Sequence, residues 1–156
     1  MPSLDHEEIA ALSEVVRSRH IAIGDEVAKF EKEMAEYCDV SGAVACSSGT
    51  AAIHLALIGL GIKKGMEVIL PSFSCASLYQ AVIYTGATPV LSDCHPKTFL
   101  LTAETIMERI THKTKAIILP HMFGLPADMD EIMSLGLPVV EAGTTRSPRS
   151  SARKTR

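Results

Sequence analysis

VACSSGTAAIHLAL, residues 44–57, opens as a short apolar run, stops at Ser47-Ser48-Gly49-Thr50 and restarts as an apolar pattern of helical length. The order reads as strand, tight loop, helix. Such a loop aims unpaired backbone N–H groups and the positive end of a helix dipole at one point. Ser48 and Thr50 add hydroxyls, and Gly49 permits close approach. Together these are the means of holding a phosphate. The same residues also serve as ordinary helix caps, with Ser48 or Thr50 accepting from a backbone N–H one turn on, and on this stretch alone both readings stand.

Outward from the loop, short β-type runs alternate with helix-length segments. Strands are predicted at 43–46, 67–70, 88–91, 115–119 and 137–141. Between them the pattern predicts helices at 50–60, 75–85, from Thr102 as cap to about Ile110, and 128–135. Gly61, Gly86 and Gly136 stand where helices end, and Pro71, Pro89, Pro120 and Pro138 fall near strand ends. Strands regularly separated by helices need crossovers. The fold class is therefore α/β, a mostly parallel sheet with helices on both faces. Ligands of such sheets lie beyond the carboxyl ends of the strands, an edge lined here by Ser47–Thr50, Pro71–Cys75, Asp93, His121 and Ala142.

Ahead of the alternation, Ile9, Leu12 and Val16 recur at helical spacing over 2–18, with Asp5 and Glu8 as a capping box. A second helix follows Gly24, with Asp25 as candidate cap and Val27, Phe30, Met34 and Tyr37 on one stripe. The division expected is N-terminal helices at 4–38, an α/β part at 42–143 and a tail at 144–156.

Composition narrows the class. The chain has 156 residues, 47% of them hydrophobic and 21% charged, as in globular proteins with a real core. Its longest apolar stretch, 53–62, is interrupted by His54 and two glycines and is too short to span a membrane. The N-terminus is acidic where a secretory signal would be basic, so a cytoplasmic location is expected. Cys38, Cys46, Cys75 and Cys94 form no CxxC pair and no metal-like grouping with histidines, so free thiols and no metal are expected. All 18 acidic residues but only 10 of the 15 basic ones lie in 1–143, a net charge of −8 there and +5 beyond. An acidic body disfavours nucleic acid as a partner.

Six motifs kept in order carry a specific resemblance: GDEVAKFEKEMAEY (24–37), SSGTAAIHLAL (47–57), GMEVILPSFS (65–74), AVIYTGATPVLSD (81–93), ITHKTKAIILPHMFGLPADMD (110–130) and LPVVE (137–141). Over about residues 17–141 the chain resembles the N-terminal part of the DegT/DnrJ/StrS-type sugar aminotransferases, pyridoxal-phosphate enzymes of the aspartate-aminotransferase fold. The resemblance implies an incomplete large domain of a type I pyridoxal-phosphate aminotransferase, working in the family as a homodimer. The implied reaction moves an amino group from glutamate or glutamine to a keto sugar carried on a nucleotide. It also implies that Gly49, Thr50 and Ala51, beside Ser48, hold the phosphate of pyridoxal 5'-phosphate. Cys75 takes the place of a flat, usually aromatic side chain over the pyridine ring. A thiol there covers less area than an aromatic ring, and a cysteine merely starting a helix is the plainer reading. His121 matches a polar position near the site, where a structural histidine bonded in a loop is the reading favoured.

The resemblance also marks a break. In the family the last strand runs into Glu-Asp-Ala-Ala-Gln or a variant, whose Asp pairs with the pyridine nitrogen. Here Glu141 is followed by Ala142-Gly143-Thr144, and no family lysine motif for covalent attachment of the cofactor follows. Lys113 and Lys115 precede a strand and do not match that lysine. The tail TTRSPRSSARKTR (144–156) has no apolar periodicity and is expected to be disordered, a frame change or truncation being preferred to a functional basic arm. The fragment is accordingly expected to be inactive. The alternatives are a non-catalytic phosphate- or nucleotide-binding module and a non-functional truncation product. In the fold that the chain resembles, strand 43–46 lies beside strands other than the four that follow it, and it is expected here to lack a partner.

Overall fold

The structure, a computed structural model, describes residues 4–143. The tail expected to be disordered, 144–156, lies outside the described residues. The chain divides into two units, 1–45 and 46–156.

The first unit holds α1 (His6–Ser18) and α2 (Asp25–Cys38). The capping box at the start of α1 is present: Glu7 N–H donates to the Asp5 carboxylate (3.0 Å) and Asp5 N–H to that of Glu8 (2.8 Å). Asp25 is not the cap of α2. Gly24 holds the extended cap position with no side-chain bond, and Asp25 is the first helical residue, where a carboxylate still favours the positive helix end. Residues 43–46 form no strand, contrary to the β-rich pattern. Instead Ala45 N–H donates to the Glu31 carboxylate (2.8 Å). A strand is stabilised by the ladder it joins, and the ladders among the described residues are those of the four strands within 67–142.

The second unit is a four-stranded, all-parallel sheet of β1 (Glu67–Pro71), β2 (Thr88–Ser92), β3 (Thr114–Pro120) and β4 (Val139–Ala142), in the order β2-β1-β3-β4. Around it lie α3 (Gly49–Gly59), α4 (Ala76–Tyr84), α5 (Ala103–Met107) and α6 (Met129–Met133). Alternation along the two central strands builds two cores. Val68 and Leu70 of β1 with Ala116 and Ile118 of β3 meet Leu57 of α3 and Leu78 and Val82 of α4. Ile69, Ile117 and Leu119 point the other way, to Ile106 of α5 and Met129 and Ile132 of α6. Helices therefore cover both faces, and the central strands read as unbroken apolar runs because neither face meets water. Pro89 is tolerated because β2 is an edge strand. Gly61, Gly86 and Gly136 have φ of 76°, 79° and 72°, the left-handed turns that end helices. Helix α5 stops three residues earlier than its apolar spacing suggests, with Arg109 N–H and Ile110 N–H making only turn bonds to Ile106 and Met107.

Candidate functional site at the carboxyl edge

Helix α3 starts where the sequence places its punctuation. Ser48 is extended (φ −163°) and its Oγ accepts from Ala51 N–H at 3.1 Å, while its carbonyl accepts from Ala52 N–H at 3.0 Å. The capping reading of Ser48 is thus realised, and it leaves two donors over. Among the described residues, the backbone N–H groups of Gly49 and Thr50 and the Thr50 hydroxyl have no acceptor in the protein. Ser48 and Gly49 are exposed and Thr50 and Ala51 half-buried. A Cβ at Gly49 would meet nothing within 4 Å, and its φ is ordinary, so neither a turn nor packing within this chain requires glycine there. The space before the helix is open.

The direction of α3 follows from its exit. Residues 60–66 carry the chain from α3 to the amino end of β1, and the backbone of Lys64 lies against Gly86, just after α4. Helices α3 and α4 therefore run side by side in the same sense, and both begin at the carboxyl edge. Helix α4 begins directly after β1, with Cys75 as its cap residue but without a side-chain bond to the backbone. The exposed Cys75 Sγ lies 2.7 Å from Ser77 Oγ. The structure thus brings Ser48, Gly49, Thr50 and Ala51 together at one helix start and puts Cys75 at the start of the neighbouring helix on the same edge.

His121 follows β3, and its N–H extends the ladder to Ala142 O (3.1 Å). Its ring is bonded on both sides: Ala127 N–H donates to Nδ1 (3.3 Å) and Nε2 lies 3.1 Å from a Glu141 carboxylate oxygen. An amide N–H only donates, so Nδ1 carries no proton and Nε2–H donates to Glu141. The reading of His121 as a loop-bonded histidine holds, but its pairing with Glu141 escaped sequence reasoning. The signal was present in two polar residues ending apolar strands. It was silent because strand adjacency was unknown. Also unforeseen is a ring cluster of Phe73, Phe99 and Phe123, with centroids 5.0 and 6.3 Å apart. Phe99 and Phe123 sit at φ 59° and 55°. Lys113 and Lys115 lie at the amino end of β3, away from this edge, and Lys115 Nζ donates to His112 O (3.2 Å). Among the described residues no group of three His, Cys, Asp or Glu is placed to hold a metal, and no helix is long and apolar enough to cross a membrane.

Two free backbone donors, two hydroxyls, a helix start and no acidic side chain in 47–51 fit a phosphate ester. The other end of a pyridoxal-type ligand is served less well. Ala142, packed against the first core, stands where the resemblance expects an acid.

Residues 2–141 match the DegT/DnrJ/EryC1/StrS aminotransferase family. GDP-perosamine synthase of Caulobacter vibrioides is 43% identical over 135 residues, which are 86% of this chain and 36% of that protein. Among solved structures, NtdA of Bacillus subtilis with bound cofactor PMP aligns with a TM-score of 0.85 at 33% identity, over 89% of this chain and 34% of its own. Spr1654 of Streptococcus pneumoniae in its PLP form gives 0.83 at 30% identity, over 86% and 34%. The chain thus spans about a third of the length of these relatives. Pyridoxal phosphate is the cofactor of this family, and the helix start at Ser48–Ala51 has the donors that a phosphate ester needs. Motif order, sheet and similarity agree, and the chain belongs to the DegT/DnrJ/EryC1/StrS aminotransferase family.

Proposed function

We propose that this chain carries the phosphate-holding part of a sugar aminotransferase, in which Ser48, Gly49, Thr50 and Ala51 bind the phosphate of pyridoxal phosphate and Cys75 lies against its ring. The observation that carries the reading is the pair of unpaired N–H groups at Gly49 and Thr50, on the sheet edge where α/β ligands bind. When bound, the cofactor supplies an electron sink for breaking a bond beside the transferred nitrogen. The chain's own contribution is positional. The Gly49 and Thr50 N–H groups and the Thr50 hydroxyl donate to the phosphate, Ser48 fixes the helix start through Ala51 N–H, and the helix dipole favours the dianion.

By analogy with the GDP-linked relative, the acceptor is a nucleotide-linked keto sugar, with glutamate or glutamine as donor and a homodimer as the working form. Within residues 1–143, Ala142 offers no acid to a pyridine nitrogen, and Lys113 and Lys115, at the amino end of β3, lie at the opposite edge. The 156-residue chain alone is therefore proposed to bind the phosphate end without turnover.

Calorimetric titration of the chain with pyridoxamine 5'-phosphate and with pyridoxamine tests this, since neither amine condenses with surface lysines. Tighter binding of the phosphorylated compound, lost in Thr50→Val and Gly49→Pro, is expected, together with no amino transfer to a nucleotide-linked keto sugar. Equal binding of the two compounds would remove the phosphate site, and measurable turnover would overturn the proposed inactivity.

A further inference from the structure

Four of the six basic residues in 46–143, Lys63, Lys64, Lys113 and Lys115, lie at the amino edge of the sheet. Topology gathers them. The loop from α3 to β1 carries Lys63 and Lys64, and the loop into β3 carries Lys113, whose carbonyl accepts from Glu67 N–H at 3.0 Å. Lys115 owes its place to an irregular ladder. Glu67 pairs with Thr114 and Val68 with Ala116, so Lys115 is an extra residue on β3, exposed between two buried neighbours. A bulge of this kind re-aims a side chain that a regular strand would have to bury.

All four lysines are exposed, and among the described residues none has a carboxylate within ion-pairing distance. The carboxylate of Glu67, at the same edge, is engaged by the Thr111 hydroxyl. Asp93, after β2, and Asp128, capping α6, stand at the carboxyl edge. Strand β1 has five residues, so the two edges are about 17 Å apart. That is about two Debye lengths at physiological salt, and the acidic balance of the chain leaves the lysine edge positive.

Apolar side chains share this edge. Leu60 follows the last turn of α3, and Ile83 and Tyr84 end α4, all three exposed. Lysines alone would suit any polyanion. Lysines beside exposed apolar groups suit an anionic bilayer, where ammonium groups meet headgroups and apolar side chains enter the interfacial layer. Duplex nucleic acid has no such layer, and none of the four cations is an arginine with a fork for phosphate.

We propose that the amino edge of the sheet docks on an anionic lipid surface, with Lys63, Lys64, Lys113 and Lys115 against the headgroups and the carboxyl edge turned away. Each lysine near such a surface is worth about fivefold in affinity. The inference is independent of whether Ser48–Ala51 holds a phosphate.

Co-sedimentation of the full chain with vesicles of phosphatidylcholine, alone or mixed with phosphatidylglycerol, tests it. Binding to the mixed vesicles alone is expected, weakened at least tenfold between about 0.05 and 0.5 M salt. Replacing Lys113 and Lys115 together by glutamine should weaken it about 25-fold. The basic tail is a second source of charge, so the same pair is also tested with Arg146, Arg149, Arg153, Lys154 and Arg156 replaced by glutamine, where salt-sensitive binding should persist until Lys113 and Lys115 are changed. Hydrogen exchange of the wild-type chain on mixed vesicles should show added protection in 60–66 and 109–115 and none in 93–101. This footprint decides even if the variants do not fold. Equal binding to both vesicle types, binding lost with the tail cations alone, protection confined to the carboxyl edge, or tighter binding to duplex DNA than to the mixed vesicles would each overturn the proposal.

Discussion

Replacing Ser48 by aspartate separates the two roles that one residue combines at the start of α3. Its hydroxyl accepts from Ala51 N–H, and aspartate is as good a cap, with its carboxylate further favoured by the helix dipole. Ser48→Asp should therefore leave folding stability within about 0.5 kcal/mol of the wild type, whereas Ser48→Ala, with the cap removed, should lose about 1 kcal/mol. Phosphate binding should respond in the opposite order. Two like charges about 4 Å apart near a protein surface repel by about 4 kcal/mol. Even half of that weakens an anion more than tenfold. Alanine adds no charge, so its effect on affinity should be much smaller. Urea unfolding monitored by circular dichroism gives the first quantity, and titration with pyridoxamine 5'-phosphate the second. If Ser48→Asp binds the phosphate compound as well as the wild type does, the loop is a plain cap and the anion-site reasoning fails.

Removing one hydroxyl donor from a charged acceptor, Thr50→Val should weaken pyridoxamine phosphate by about 1.5–3 kcal/mol in the same titration, and unchanged affinity would exclude Thr50. Leu57→Ala empties a fully buried position where α3 meets β1 and α4, and should cost about 2–5 kcal/mol in urea unfolding; a cost under about 1 kcal/mol would contradict the packing described. Gly86→Ala must adopt φ +79° with its new Cβ 3.6 Å from that of Lys64, and should lose about 1–2 kcal/mol, read as a lowered melting temperature. A stabilised Gly86→Ala would show that the turn is not left-handed.

What the sequence disclosed was whatever is local. The runs at Val68–Leu70 and Ala116–Leu119 read as strands buried on both faces, and Gly61, Gly86 and Gly136 marked left-handed turns, because each signal is carried by a few adjacent residues. The candidate loop was legible for the same reason, down to Ser48 as a cap. Pairings between distant residues were not. Strand order β2-β1-β3-β4 sets His121 against Glu141, and loops after three strands bring Phe73, Phe99 and Phe123 together, all consequences of topology. Residues 43–46 misled in the other direction. Their β-type composition is real, but a ladder needs a neighbour, and composition does not say whether one adjoins. Asp25 misled by type alone, since aspartate suits both the cap and the first turn of a helix, and Gly24 took the cap.

Whether the unpaired N–H groups of Gly49 and Thr50 receive a phosphate is read residue by residue in backbone NMR of the 15N-labelled chain. Titrated with pyridoxamine 5'-phosphate, the amide resonances of Gly49 and Thr50 should move furthest and saturate together, while pyridoxamine leaves them in place. Equal movement with both compounds, or shifts confined to residues outside 47–51, would contradict the account.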